Sequence, residues 1–342
     1  MSFSRCLLLI LFGMSWSSLG HAEEVLEAAI TKSQAAVEDT FSFDVVVNET
    51  ADFIELAPMP TADAANSGTQ PASNESFSTK VIQNSLLLQA KDYDIRKVPS
   101  REKEKLELYK NSLLNWTNPR RKTEQGVMVA WQDEGMPVVL ATLFTYEWYG
   151  VKLKHELISL ADSELSAQYG GRDVWTPSKA ALSWTEWADT IKKVGDVSSS
   201  KPRRLAQMRA IARQFTLTMT NEEGKTEQLR LLSQPLHRFA SKKYATTDGA
   251  VFAFASGTDP EALLVIRGSS ENQKWEYAFL RSMYYELTAK LRDKQVWRVK
   301  SVMAEHVNAS VGDPAVVRSQ YSSFHLTPDR LFRPHPDLKA EK

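Results

Sequence analysis

The sequence predicts an α+β chain that is mainly antiparallel β: two tandem, internally duplicated β-meander modules with a few short helices. Three observations lead there. Segment 106–143, LELYKNSLLNWTNPRRKTEQGVMVAWQDEGMPVVLATL, aligns without a gap to segment 229–266, LRLLSQPLHRFASKKYATTDGAVFAFASGTDPEALLVI, at a constant offset of 123 and with eight identities in 38 positions. Farther on, ELSAQYGGRDVW (164–175) matches ELTAKLRDKQVW (286–297) at an offset of 122, with five identities in 12. Self-similarity at a fixed spacing is the mark of a repeated structural unit. Within each copy, short apolar runs are separated by the turn residues Asp133-Glu-Gly135 or Ser256-Gly-Thr-Asp259, the pattern of strands joined by tight turns.

The expected organisation is a signal peptide at 1–22, an N-terminal helix and strand at 23–56, and a flexible linker at 57–78. A first β module at 79–198, a second at 199–310 and an extended tail at 311–342 follow. Arg5 supplies a positive start, Cys6–Met14 a nine-residue apolar run, and Gly20-His21-Ala22 the small residues of a cleavage site. Nine residues are too few for a bilayer, which needs about 20. Cleavage after Ala22 and export to the periplasm or medium are therefore expected, with no transmembrane segment afterwards. Cys6 is the only cysteine, so the cleaved chain has no thiol for a nucleophile, a disulfide or a thiolate metal site. With 42 basic and 42 acidic residues in the full chain, nothing suggests a protein that coats nucleic acid.

Val25, Leu26, Ala29, Ile30 and Val37 suggest a short amphipathic helix, and Phe41, Phe43, Val45 and Val47 a strand. APMPTADAANSGTQPASNES (57–76) has no periodicity and a linker composition. In each copy a leucine-alternating strand reaches an aromatic residue, Trp116 or Phe239. Then come a polar loop, Gly126 or Gly249, and an apolar strand. Pro137 and Pro260 open the returning strands, where proline costs no ladder bond. Further strands are expected at Val151–Leu160 and Trp275–Leu280, and a hairpin at Phe215–Thr220 and Glu227–Leu232. Between the copies, Leu205, Met208, Ala212 and Phe215 share a helical face.

ARQFTLTMTNEEGKTEQLRLLSQPLHRFASKKYATTDGAVFAFASGTDPEALLVIRG, LLNWTNP, the His155-Glu156 pair and Asp173-Val-Trp-Thr-Pro177 resemble a group of uncharacterised exported proteins from planctomycete-type bacteria. The likeness spans about residues 105–300 and is most specific in LRLL-x-QPL, DGA-x-FAF and GTDPE. That group has no established activity, cofactor or catalytic residues. The resemblance implies export from a bacterium and transfers no site.

Motifs exclude more than they assign. His155-Glu156-Leu-Ile-Ser159 begins like a zinc-protease helix, but Ser159 replaces the second histidine and the stretch alternates as a strand. Gly224-Lys225-Thr226 lacks the earlier glycine of a phosphate loop and suits a hairpin turn. There is no G-x-S-x-G and no G-x-G-x-x-G. Asp133, Glu134 and Asp259 read as turn residues. Trp116, Trp131, Trp175 and Trp297 are expected in the core, and Trp184 and Trp187, in the insert between the copies, form the candidate exposed binding patch. No catalytic residue, cofactor or metal is assigned. The expected function is a non-catalytic envelope or periplasmic binding module whose partner is a protein, glycan or lipid, not nucleic acid. The alternative is an exported hydrolase with its site at the junction of the modules.

Overall fold

The computed structural model describes residues 73–98, 105–121, 123–147, 151–178, 182–188 and 194–326. The expected signal segment, the helix and strand in 23–56 and most of the linker lie outside them.

Helix α1 (Ser73–Lys91) begins inside the expected linker, whose last residues are helical instead. Ile82, Leu86 and Ala90, four residues apart, give it an apolar face that packs on the first core. Next come β1 (Tyr93–Val98), β2 (Glu107–Leu108), β3 (Leu114–Asn118), a 3-10 turn (Pro119–Arg121), β4 (Thr123–Asp133), β5 (Met136–Glu147), β6 (Val151–Ser159), β7 (Glu164–Tyr169), β8 (Arg172–Trp175) and β9 (Thr185–Glu186). Helix α2 (Lys201–Ala212) leads to β10 (Phe215–Thr220), β11 (Thr226–Leu231), β12 (His237–Ser241), β13 (Thr246–Ser256), β14 (Asp259–Ser269), β15 (Trp275–Arg281), β16 (Glu286–Leu291) and β17 (Lys294–Val299). Two short helices, α3 (Met303–His306) and α4 (Pro314–Val317), precede β18 (Tyr321–Leu326).

These strands pair antiparallel in three sheets. One runs β1-β7-β8. A second runs β18-β6-β5-β4-β2, with β3 also on β4. The third runs β17-β16-β10-β11-β13-β14-β15-β9, with β12 also on β13. Within the segment expected as an extended tail, the described residues 311–326 hold a short helix and an edge strand instead: Tyr321–Leu326 pairs with Ile158–Leu153 and closes the open edge of β6, while 327–342 lie outside the described residues.

Alternation along the central strands decides where each side chain goes. Val127, Val129 and Trp131 of β4 enter a core with α1, β1, β7 and β8. Ala250, Phe252 and Phe254 of β13 enter a second core with α2, β10 and β16. The alternate residues, Met128 and Ala130 on one side and Val251 and Ala253 on the other, meet in a third core between the two large sheets. Helix α2 buries Met208, Ile211 and Ala212 and is anchored by Arg204, whose Nε donates to Asp248 at 2.7 Å.

Two glycines are fixed by aromatic rings. Trp116 lies opposite Gly126 in register, and a Cβ on Gly126 would stand 2.3 Å from the indole. Phe239 lies opposite Gly249, where a Cβ would stand 2.4 Å from its ring. Gly126→Ala and Gly249→Ala should each lower stability by about 1–3 kcal/mol through overpacking. Trp131→Ala and Phe254→Ala, both emptying closed cores, should cost about 3–5 kcal/mol each. Urea unfolding checks all four variants, and a loss under about 0.5 kcal/mol, usual for surface positions, would contradict the packing described.

Candidate functional site

The interface between the two large sheets changes character along its length. On β5 and β6 the inward residues run from the pair Leu140–Ile158 to Thr142–Glu156 and then Phe144–Lys154. On β14 they run from Val265 and Leu263 to Glu261 and Asp259. Apolar at one end, the interface thus becomes polar at the other, where it opens into a cleft of about 430 Å³. Phe144, Tyr146, Tyr284 and Tyr285 form its aromatic walls.

Arg121 enters from the 3-10 turn after β3. Its Nη2 lies 2.9 Å from Glu261 Oε1, and its Nη1 donates to Glu261 Oε2 at 3.2 Å and lies 3.6 Å from Asp259 Oδ2. Asn118 Nδ2 donates to Asp259 Oδ2 at 2.9 Å. Glu156 accepts from Tyr321 Oη at 2.8 Å and Thr142 Oγ1 at 3.0 Å. Each carboxylate therefore has a donor from its own protein. Two other groups do not. Lys154 is 3% exposed, and its Nζ lies 4.7 Å from the centre of the Tyr284 ring. Among the described residues its Nζ makes no hydrogen bond or ion pair, although the Glu156 charge acts on it through space. Ser282 is 2% exposed, and among the described residues its Oγ has no partner. Its N–H donates to the Glu261 carbonyl at 3.0 Å, which fixes its place in the wall.

Burial dominates the electrostatics. It pushes Asp259 up to about 6 against the pull of Arg121 and Asn118. Burial and the Asp259 charge raise Glu261 well above its ordinary value, and burial raises Glu156 despite Lys154 and its two hydrogen bonds. Burial lowers Lys154 to about 8, with Glu156 opposing. Two carboxyls across one guanidinium resist ionising together, so the Asp259–Glu261 pair titrates as a unit.

The expected sites fare differently. Trp187 is 5% exposed and packs edge-on to Phe215 and Tyr277 in the second core, so it belongs to no exposed patch. Its insert folds back and its N–H bonds Trp275 O. Trp184 is half-buried under Arg267, whose guanidinium sits 4.0 Å from its ring. His155 is fully buried on the opposite face from Glu156, between Tyr93 Oη at 2.7 Å and Gln89 Oε1 at 3.0 Å. Asp133 does end its strand, where Lys97, Lys243 and Tyr244 hold it down at about 2 despite partial burial. Asp259 is more than a turn residue: it opens β14 inside the cleft. No known protein family, curated protein or solved structure matches this chain.

The raised Asp259 makes a pH prediction. From about pH 4 to 6 its carboxyl is ionised in the unfolded chain while the folded one keeps its proton. Rising pH therefore favours unfolding across that window, and the penalty is constant above it. Asp259→Asn removes the penalty. Relative to the parent, its urea midpoint should be higher at pH 7 than at pH 4; the reverse order would mean that the folded state prefers the ionised carboxylate.

Proposed function

We propose that this chain is an exported, non-catalytic binding protein of the bacterial cell envelope, built from two copies of one β module, that holds a small polar ligand in the cleft between them. The observation that carries the reading is the division of labour in the cleft. Its carboxylates are engaged by Arg121, Asn118, Tyr321 and Thr142, whereas the wall also holds Lys154, whose ammonium meets only the Tyr284 ring, and Ser282, whose buried Oγ has no partner among the described residues. A general acid or base needs a carboxyl free to reach its substrate; a binding site needs unpaired polar groups against an apolar wall.

Strand register supports the duplication. Leu114–Met128, Asn115–Val127, Trp116–Gly126 and Asn118–Thr123 recur 123 residues later as His237–Val251, Arg238–Ala250, Phe239–Gly249 and Ser241–Thr246, including the interruption. Tyr93–Tyr169 recurs 122 residues later as Phe215–Leu291, and Ala167–Trp175 as Ala289–Trp297. Leu108 and Leu231 are both half-buried, and Val129, Phe252, Trp131 and Phe254 are all buried. Trp175 is closed off in its core, while Trp297 is half-buried and stacks on Phe279.

One observation favours the hydrolase alternative: Asp259 and Glu261 share Arg121, so one of them can hold a proton near neutral pH. Native mass spectrometry separates the two readings. Protein purified from the exported fraction should begin at Glu23 and carry a small molecule, which Ser282→Trp displaces by filling the cleft. The molecule should return unchanged after incubation with fresh protein. Its time-dependent conversion to products would establish the hydrolase instead, and a retained Met1 would overturn export.

A further inference from the structure

Resting on the binding reading above, we infer that the ligand of the cleft is an uncharged sugar or a similar polyhydroxylated ring, held by Lys154 and Ser282. The unpaired groups are mixed in kind. The Lys154 ammonium only donates, and the Ser282 hydroxyl both donates and accepts. A ligand that satisfies both must offer an acceptor to the ammonium and a donor or acceptor to the hydroxyl side by side, as vicinal hydroxyls do.

Charge argues the same way. Glu156, Asp259 and Glu261 face the cleft with Lys154 and Arg121. A phosphate or carboxylate would come close to three acidic side chains, and a bare cation would meet an ammonium and a guanidinium. Burial of these groups in low dielectric makes either mismatch more costly than it would be in water. The lining is close to charge-balanced, which suits a ligand without net charge. Four aromatic side chains complete the walls, and the C–H faces of a sugar ring pack on such rings while its hydroxyls reach the polar edge. The volume of about 430 Å³ lies within the roughly 300–1,000 Å³ range of small-molecule sites and has room for one or two rings.

The test uses the full exported chain and calorimetric titration. Glucose, N-acetylglucosamine, maltose and cellobiose are the neutral probes, and inorganic phosphate and benzoate the anionic ones. A soluble four- to six-unit oligosaccharide of each bound sugar shows whether the source is a free sugar or the end of a glycan chain. At least one neutral saccharide should bind and neither anion should. Ser282→Ala should weaken that saccharide about five- to tenfold, the loss of one hydrogen bond, and Lys154→Met at least as much. Thermal unfolding confirms that both variants are folded, and Ser282→Ala alone decides if Lys154→Met is not. Binding of phosphate or benzoate in preference, no saccharide binding, or saccharide affinity indifferent to Ser282→Ala each overturns the inference. If the native protein still carries an unconverted small molecule of another class, the sugar assignment fails while the binding reading stands.

Discussion

Strands β4, β5, β13 and β14 are buried on both faces, and that double burial governs the rest of the molecule. A sheet with one wet face needs apolar residues only at alternate positions. Here Val127, Val129 and Trp131 fill one core and Met128 and Ala130 another, so the strands must be almost continuously apolar. The runs VMVAW and AVFAFA meet that requirement. A one-residue slip would exchange the residues meant for the helix side with those meant for the facing sheet. The aromatic rings seated over Gly126 and Gly249 act against such a slip, because each ring fits only where the opposite residue lacks a Cβ.

The same constraint produces the cleft. Polar side chains on a face shared by two sheets must find partners or water, since an unpaired polar group in that layer is costly. Thr142 donates to Glu156, and Glu156, Asp259 and Glu261 find partners in Tyr321, Asn118 and Arg121. Contacts across the interface reinforce them: Thr258 Oγ1 donates to Thr117 O at 2.7 Å, and Asp133 near the other end of the β4–β5 hairpin binds Lys243 and Tyr244. Buried ion networks of this kind add little net stability, but they are strongly destabilising when one member is removed. The cleft is accordingly a place where the two halves fit in one way.

Much of the architecture was legible in the sequence. The hairpin around Asn221–Lys225, the strands at Val151 and Trp275 and the helix before Phe215 all follow from periodicity and turn chemistry. The helix in α1 was hidden by its Ser- and Asn-rich start, and β18 was hidden because a six-residue edge strand carries little pattern of its own. The cleft was not legible, because Arg121, Lys154, Glu156, Asp259, Glu261 and Ser282 come from a turn, two strands and a strand end far apart in the chain. One signal was available. Glu261 has the same parity as Leu263 and Val265, so a charge already stood on an inward-facing position. Trp187 was not legible as a core residue, because an insert outside the two aligned segments gives no hint of the core it covers.

Native-state hydrogen exchange tests the shared inter-sheet core most directly. If the layer formed by Met128, Ala130, Leu140, Val251, Ala253 and Leu263 ties the halves together, the slowest amides of β4–β5 and those of β13–β14 should open with the same free energy. They should also respond equally to denaturant and to Ala253→Glu, a change confined to the second half. Two separate opening energies, with only β13–β14 weakened by that substitution, would show two independent cores and contradict the account.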